Sequence, residues 1–230
     1  MDLLTNILAA TMVAGTPLLL VALGELICER SGVLNLGQEG MMLMGAVAGF
    51  IATLSTGSLA AGVVVAMLTG LAMSMLFAVM AVTLSANQYA AGLALTIFGT
   101  GLSAFVGAGF VGQSIEGFEK IAIPLLSDLP VLGRALFTQD LLVYFSWLVF
   151  AGVALFLRFS RGGLVLRAVG ESPGAANANG LRVLTVRYLA VAFGGAMAGL
   201  AGAYLSLAYT PMWTENMTSG RGWIALALVM

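Results

Sequence analysis

Apolar runs long enough to cross a bilayer follow one another along the chain, separated by short polar segments. A span needs about 20 apolar residues to cover roughly 30 Å of hydrocarbon. The runs Ile7 to Ile27, Leu36 to Leu54, Leu59 to Leu84, Ala90 to Val111, Leu141 to Leu157 and Tyr188 to Tyr209 meet or approach that length. Pro17 is placed to kink the first. A seventh run starts at Trp223 and reaches only Met230. It is too short to span, so the expectation is a truncated chain that stops inside a helix. The pattern predicts an all-α, polytopic transmembrane helix bundle of about seven spans, forming one domain over residues 1–230.

Composition agrees. Apolar residues make up 60% of the chain and charged residues 8%, against about 25% charged in a soluble domain. So few charges cannot cover a water-facing surface, and a net charge of -1 argues against affinity for nucleic acid. Asp2 is the only early charge and a basic leader is missing, so the first run reads as a mature membrane helix rather than a cleaved signal. Cys28 is the only cysteine and there is no histidine. A Cys–His nucleophile and the usual zinc and haem sites therefore lack their parts. The reading is no catalytic residue, no metal and no cofactor, with Cys28 a small apolar filler at a helix end.

Small residues recur at helical spacing: Gly195, Ala198, Gly199 and Gly202; Gly45 and Gly49; Gly99, Ser103 and Gly107. Such stripes let membrane helices approach closely, since packing rather than water exclusion drives their association. Most are expected to serve packing within one subunit, a minority a subunit interface.

The charges lie between the runs. Arg158, Arg161, Arg167, Arg182 and Arg187 face a single acid, Glu171, within one loop. Basic short loops stay inside, which predicts that residues 158–187 are cytoplasmic. Gly112 to Asp140 then lies outside. It holds Lys120 and Arg134 against Glu116, Glu119, Asp128 and Asp140, and Pro124 and Pro130 suit an irregular loop. The N-terminus and Thr210 to Gly222 fall outside as well, and the segment around Glu29 is a candidate re-entrant break. Within the basic loop, Ser172 can cap a short helix, Pro173 start it and Gly180 stop it. Such a helix reads as a docking element. Ala175, Ala176 and Ala178 are expected to enter a groove on a partner, with Asn177 and Asn179 at its rim.

Gly24 to Gly40 places Glu25, Glu29, Arg30 and Glu39 beside two hydrophobic runs. Ser31-Gly32 supplies a break. Asn35 and Gln38 have the spacing of a capping box, and Glu39 falls in the first turn, where the helix dipole favours an acid. A bare carboxylate at mid-bilayer costs about 2.5–3.5 kcal/mol. These acids therefore sit at an interface, pair with Arg30 or face a polar path. Two readings stand: a capped turn at the membrane surface, or a structural lock between spans. On the capping reading Asn35→Ala costs about 0.5–2 kcal/mol, and Glu39→Gln less.

Three blocks carry a family resemblance. Residues Glu29 to Ala46, Arg167 to Leu181 and Ser219 to Ala227 resemble, in that order, segments of the inner-membrane permease subunits of bacterial ABC importers. The nearest branch is that for simple sugars and nucleosides, related to the branched-chain amino-acid and ribose permeases. Gly174, Asn177 and Asn179 depart from relatives, which often carry charges there. The resemblance implies half of a transmembrane pore in a multi-pass protein of the bacterial inner membrane, completed by a second permease subunit and surrounded by membrane lipid. It also implies a cytoplasmic ABC ATPase and an extracytoplasmic solute-binding protein, with no nucleic acid. A nucleoside is the first-choice solute and a simple sugar the second. Relatives are usually longer, which supports a missing C-terminal part. The ATPase-coupling residues it implies are Arg167, Gly170, Glu171, Ser172, Pro173, Ala175, Ala176, Asn177 and Gly180. The structural or pathway residues are Glu29, Arg30, Gly32, Asn35, Gly37, Glu39 and Gly40. Lys120 is the only lysine and no Walker A pattern occurs, so this chain does not read as the ATPase. Polar residues such as Asn87, Gln88, Thr96 and Thr100 are candidates for the pore or for helix–helix bonds. The alternatives are a secondary transporter, a branched-chain amino-acid ABC permease and, least consistent with the residues, an intramembrane enzyme.

The topology is testable. With Cys28 replaced by Ser, a cysteine at Asn177 should resist an impermeant maleimide added to intact cells and react after permeabilisation. Labelling from outside would overturn the cytoplasmic placement.

Overall fold

The structure, a computed structural model, describes all residues except 1, 125–126, 128–132 and 134–135. The helices among the described residues are α1 (Asp2–Arg30), α2 (Gln38–Thr56), α3 (Leu59–Ala78), α4 (Gln88–Gly107), α5 (Leu141–Phe159), α6 (Arg161–Glu171), α7 (Pro173–Ala178), α8 (Val183–Tyr204) and α9 (Arg221–Val229). Six stretches are long and apolar enough to cross a membrane: Leu3–Arg30, Gln38–Thr56, Leu59–Thr83, Gln88–Phe110, Leu141–Phe159 and Val183–Tyr209. They coincide with the six long apolar runs. The seventh run is the nine-residue α9.

α8 is the centre of the bundle. α2 and α3 pack on it through glycine. A Cβ on Gly45 would lie 2.5 Å from the Cα of Gly199, and one on Gly70 would lie 2.8 Å from that same atom. Gly199 is thus pinched between α2 and α3. The stripes at Gly45, Gly49, Gly195, Gly199 and Gly202 all serve contacts within the chain. The fourth-helix stripe does too: Gly99 meets Gly40 on α2, and Gly107 meets the indole of the fully buried Trp213. Cys28 is also buried and donates to the Ala190 carbonyl on α8 at 3.4 Å.

The helix pairings fix two ends. A π-helical turn, Val79–Thr83, continues α3, and Thr83 meets Tyr188 at 2.5 Å, so this span ends near the start of α8, beside the arginine-rich segment. At the opposite end Gly62 packs against Thr53 and Leu207. Residues 112–124 also lie at that opposite end: Ile115 N–H donates to Pro211 and Phe118 N–H to Leu207. The expectation of an irregular loop there is corrected at its flanks. β1 (Lys120–Ala122) pairs antiparallel with β2 (Thr138–Asp140), Lys120 opposite Asp140. Pro124 follows β1, while Asp128, Pro130 and Arg134 lie outside the described residues. Asp140 then caps α5, accepting from Leu142 N–H at 3.0 Å and Val143 N–H at 3.1 Å. Burial raises the pKa of its carboxyl above its ordinary value despite those bonds.

Helix α6 is missing from the sequence reading, which took only α7 from this segment. Ser160 caps it by accepting from Gly163 N–H at 2.9 Å, and Gly163, Leu166 and Val169 form its buried face. Gly162-Gly163 at its start depresses local helix propensity, which hides it from a local reading.

The glycine crossing predicts a contrast. Gly45→Ala should destabilise, because overpacking costs typically 1–3 kcal/mol. Gly101→Ala, where a Cβ meets nothing within 4 Å, should be neutral or stabilising. Thermal unfolding in detergent measures both.

Candidate functional site

The break between α1 and α2 is an excursion into the bundle. α1 ends in a Schellman turn: Gly32 takes φ +80°, its N–H donates to Glu29 at 2.9 Å and Val33 N–H donates to Cys28 at 3.2 Å. Only glycine adopts that left-handed conformation without strain. Residues 34–37 then climb beside α4. Leu34 N–H donates to Gln88 Oε1 at 2.8 Å, and Thr96 Oγ1 donates to the Leu36 carbonyl at 2.9 Å. Gly40 lies so close to Thr96 that a Cβ would stand 2.8 Å from its Cα. Thr96 is eight residues into α4, about 12 Å along the helix. α2 therefore starts well inside the bundle, and Gln88 and Thr96 bond the backbone of the break rather than another helix. Asn87 caps α4, and Thr100 bonds its own helix.

Two buried acids organise the break. Glu25, fully buried on α1, accepts from Asn35 N–H at 2.8 Å and from Gln38 Nε2 at 2.6 Å. The expected capping box is not formed. Asn35 Oδ1 accepts from Gly37 N–H at 2.9 Å in an Asx turn, Gly37 occupies the N-cap with no side-chain bond, and Gln38 reaches Glu25 rather than back to Asn35. The competing bond wins because a buried carboxylate needs donors more than a backbone amide needs an acceptor.

Glu39 does fall in the first turn of α2, but it serves another helix. Its Oε1 accepts from Gly220 N–H at 2.8 Å and from Thr218 Oγ1, and its Oε2 accepts from Gly222 N–H at 2.6 Å. A carboxylate at a helix N-terminus meets free N–H groups and the positive end of the dipole. Glu39 is thus the cap of α9. Segment 213–220 comes in from the opposite end, where the bridge between Ser114 and Met212 anchors it. Chain from one end and chain from the other meet at Glu39, joining the first and third sequence blocks. Of the remaining block residues, Glu29 is half-buried and Arg30 exposed near the arginine-rich segment, outside this buried cluster.

The second block meets the first as well. Gly170 on α6 faces Gly32, where a Cβ on Gly32 would lie 3.3 Å from the Gly170 Cα. Arg187 Nε donates to the Ser31 carbonyl at 3.3 Å. α7 starts at Pro173 and stops at Gly180 as expected, with a second Schellman turn: Gly180 N–H donates to Asn177 at 2.9 Å and Leu181 N–H to Ala176 at 3.0 Å. Ser172 occupies the N-cap without a side-chain bond. Ala176 is corrected as a docking residue. It is buried within the chain at 4% exposure, because six residues of helix cannot stand without a hydrophobic anchor. Ala175, Asn177, Ala178 and Asn179 remain exposed. Glu171, Ser172, Ala175 and Ala176 line an open cavity of about 390 Å³, and Arg167 bonds back to Gly163 at 3.4 Å.

Glu25, Thr218, Gly220 and Gly222 were missed as site residues. Glu25 sits in a polar segment and Gly220 and Gly222 in a recognisable block, but nothing local says which N–H groups they join.

A polytopic bundle with helices broken inside it, buried acids at the breaks and a short, mostly exposed helix at one end fits a membrane transport subunit. The family model for the permease component of branched-chain amino acid transport systems matches residues 7–230, and the chain belongs to that family. It is 46% identical over its whole length to a Haloferax volcanii protein provisionally described as a glucose ABC transporter permease, spanning 71% of that relative. It is 34% identical to the guanosine ABC transporter permease of Bacillus subtilis, covering 100% of this chain and 76% of the relative. It is 33% identical to the nucleoside ABC transporter permease of Lactococcus lactis, covering 97% of this chain and 74% of the relative. No solved structure matches. The protein is a multi-pass ABC transporter permease of the cell membrane, a class that in general is not enzymatic and works with an ATPase and a substrate-binding protein.

The geometry reverses the expected order of two substitutions. Glu39→Gln sets an amide N–H₂ against backbone N–H donors and should cost about 1–3 kcal/mol, more than Asn35→Ala, which removes one Asx bond and a weak bond to the Met41 sulfur. Unfolding midpoints of both variants in detergent decide it. A Glu39→Gln midpoint equal to wild type would remove the capping role.

Proposed function

We propose that the chain forms half of the translocation path of an importer for a small hydroxylated solute, and that its arginine-rich end docks the ATPase. The supporting observation is the Gly32–Gly170 contact. It ties α6 and the adjoining α7 to the same break that carries Asn35, Gln38 and Glu39. A push on α7 therefore reaches the junction of α2 and α9 through rigid backbone contacts. ATP hydrolysis belongs to the partner chain, and a solute-binding protein presents the solute at the opposite end. A second permease subunit completes the path.

The relatives fit a sugar and a nucleoside, which share vicinal hydroxyls. Identity of 46% to the glucose permease against 34% to the guanosine permease favours the sugar arm. Proteoliposomes holding the full complex should accumulate glucose or guanosine and not leucine. Accumulation of leucine alone would move the chain to the amino-acid branch.

The coupling reading has its own test. Ala178 is exposed, so Ala178→Trp should leave folding intact while abolishing co-purification of the ATPase and solute-stimulated ATP hydrolysis. Wild-type transport by Ala178→Trp with the ATPase bound would overturn it.

A further inference from the structure

We propose that the groove between α1, α5, α6 and α8 is a binding site for an anionic phospholipid, one acyl chain in the groove and the phosphate on Arg158, Arg161 and Arg182. The proposal stands apart from the transport reading. The groove has a volume of about 590 Å³ and is walled by side chains such as Ile27, Val153, Phe156, Leu166 and Phe193. It offers a polar solute no hydrogen-bonding side chain, and its size is in the range of small-molecule sites.

Charge at its mouth selects the occupant. Arg161 lies one helical turn before Val165, a lining residue, and Arg158 is in the last turn of α5, past the lining Phe156. Arg182 lies one helical turn before Val186, a third lining residue. All three arginines are exposed, and among the described residues none is paired with a carboxylate. Arg158 rests on the Phe159 ring at 5.5 Å, which holds the guanidinium without neutralising it. α6 also begins here, and Ser160 satisfies only its Gly163 N–H, so the positive end of its dipole faces the same place. An apolar protein segment covering the groove would leave these charges without an anion. A lipid phosphate supplies one, and basic pockets between membrane helices hold such headgroups.

The test uses the permease in its complex, stripped of lipid and titrated with dioleoyl phosphatidylglycerol or dioleoyl phosphatidylcholine, with bound lipid counted by native mass spectrometry. The expected result is one tight phosphatidylglycerol and markedly weaker phosphatidylcholine. Arg158→Gln and Arg161→Gln should each weaken phosphatidylglycerol about five-fold. Gly152 lines the groove and has room for a side chain, so Gly152→Trp should abolish the tight site without changing the unfolding midpoint. Equal binding of the two lipids, or arginine variants that bind as wild type, would reduce the lipid to an unspecific annulus and overturn the proposal. So would full occupancy in Gly152→Trp. Cross-linking of a cysteine at position 152 to another polypeptide segment in the intact complex would show the groove covered by protein, with the same consequence.

Discussion

Backbone N–H groups inside a membrane protein need partners that water cannot provide, and this chain breaks its helices inside the bundle. Glu25 and Glu39 answer that need. Glu25 takes the Asn35 N–H and the Gln38 amide, and Glu39 takes the open start of α9. Each carboxylate would be costly alone, and each break would be costly alone. Together they satisfy one another. The positions of α2 and α9 follow, since neither helix can start where it does without its acid.

The close approach of α2, α3 and α8 is the second condition. Gly199 accepts neighbours on two sides, which brings backbones together where lipid and protein interior are equally apolar and only contact area favours association. This places α2 so that Glu39 meets Gly220 and Gly222, and α1 so that Glu25 meets Gln38. The glycine stripes and the acids are therefore one arrangement.

The arginine-rich end is joined to that arrangement through backbone. Gly170 against Gly32, and Arg187 on the Ser31 carbonyl, leave little room for α6 to move without moving the break. α7 is anchored by Ala176 and presents Ala175, Asn177 and Ala178 outward. A short helix anchored this way would pass a displacement on to the break rather than absorb it.

The six long helices, the break at Ser31-Gly32, the start and stop of α7 and the packing role of the small residues were all legible in the chain. Each depends on periodicity, length or a residue with one strong backbone preference, and these are local quantities. The capping box at Asn35 and Gln38 failed because a residue 10 positions earlier competes for the Asn35 N–H. Glu39 read as an acid at its own helix start, while its partners lie 179 to 183 positions away. α6 was hidden by Gly162-Gly163 and appears only with α1 to pack on. Ala176 looked like its exposed neighbours until the turn direction of a six-residue helix decided which alanine faces inward. The sequence by itself determined which segments are helical and apolar enough to enter a membrane, because that follows from side-chain transfer and backbone preference. Only the tertiary structure decided which donors each buried acid receives, because those bonds join residues that the chain separates and packing alone brings within reach.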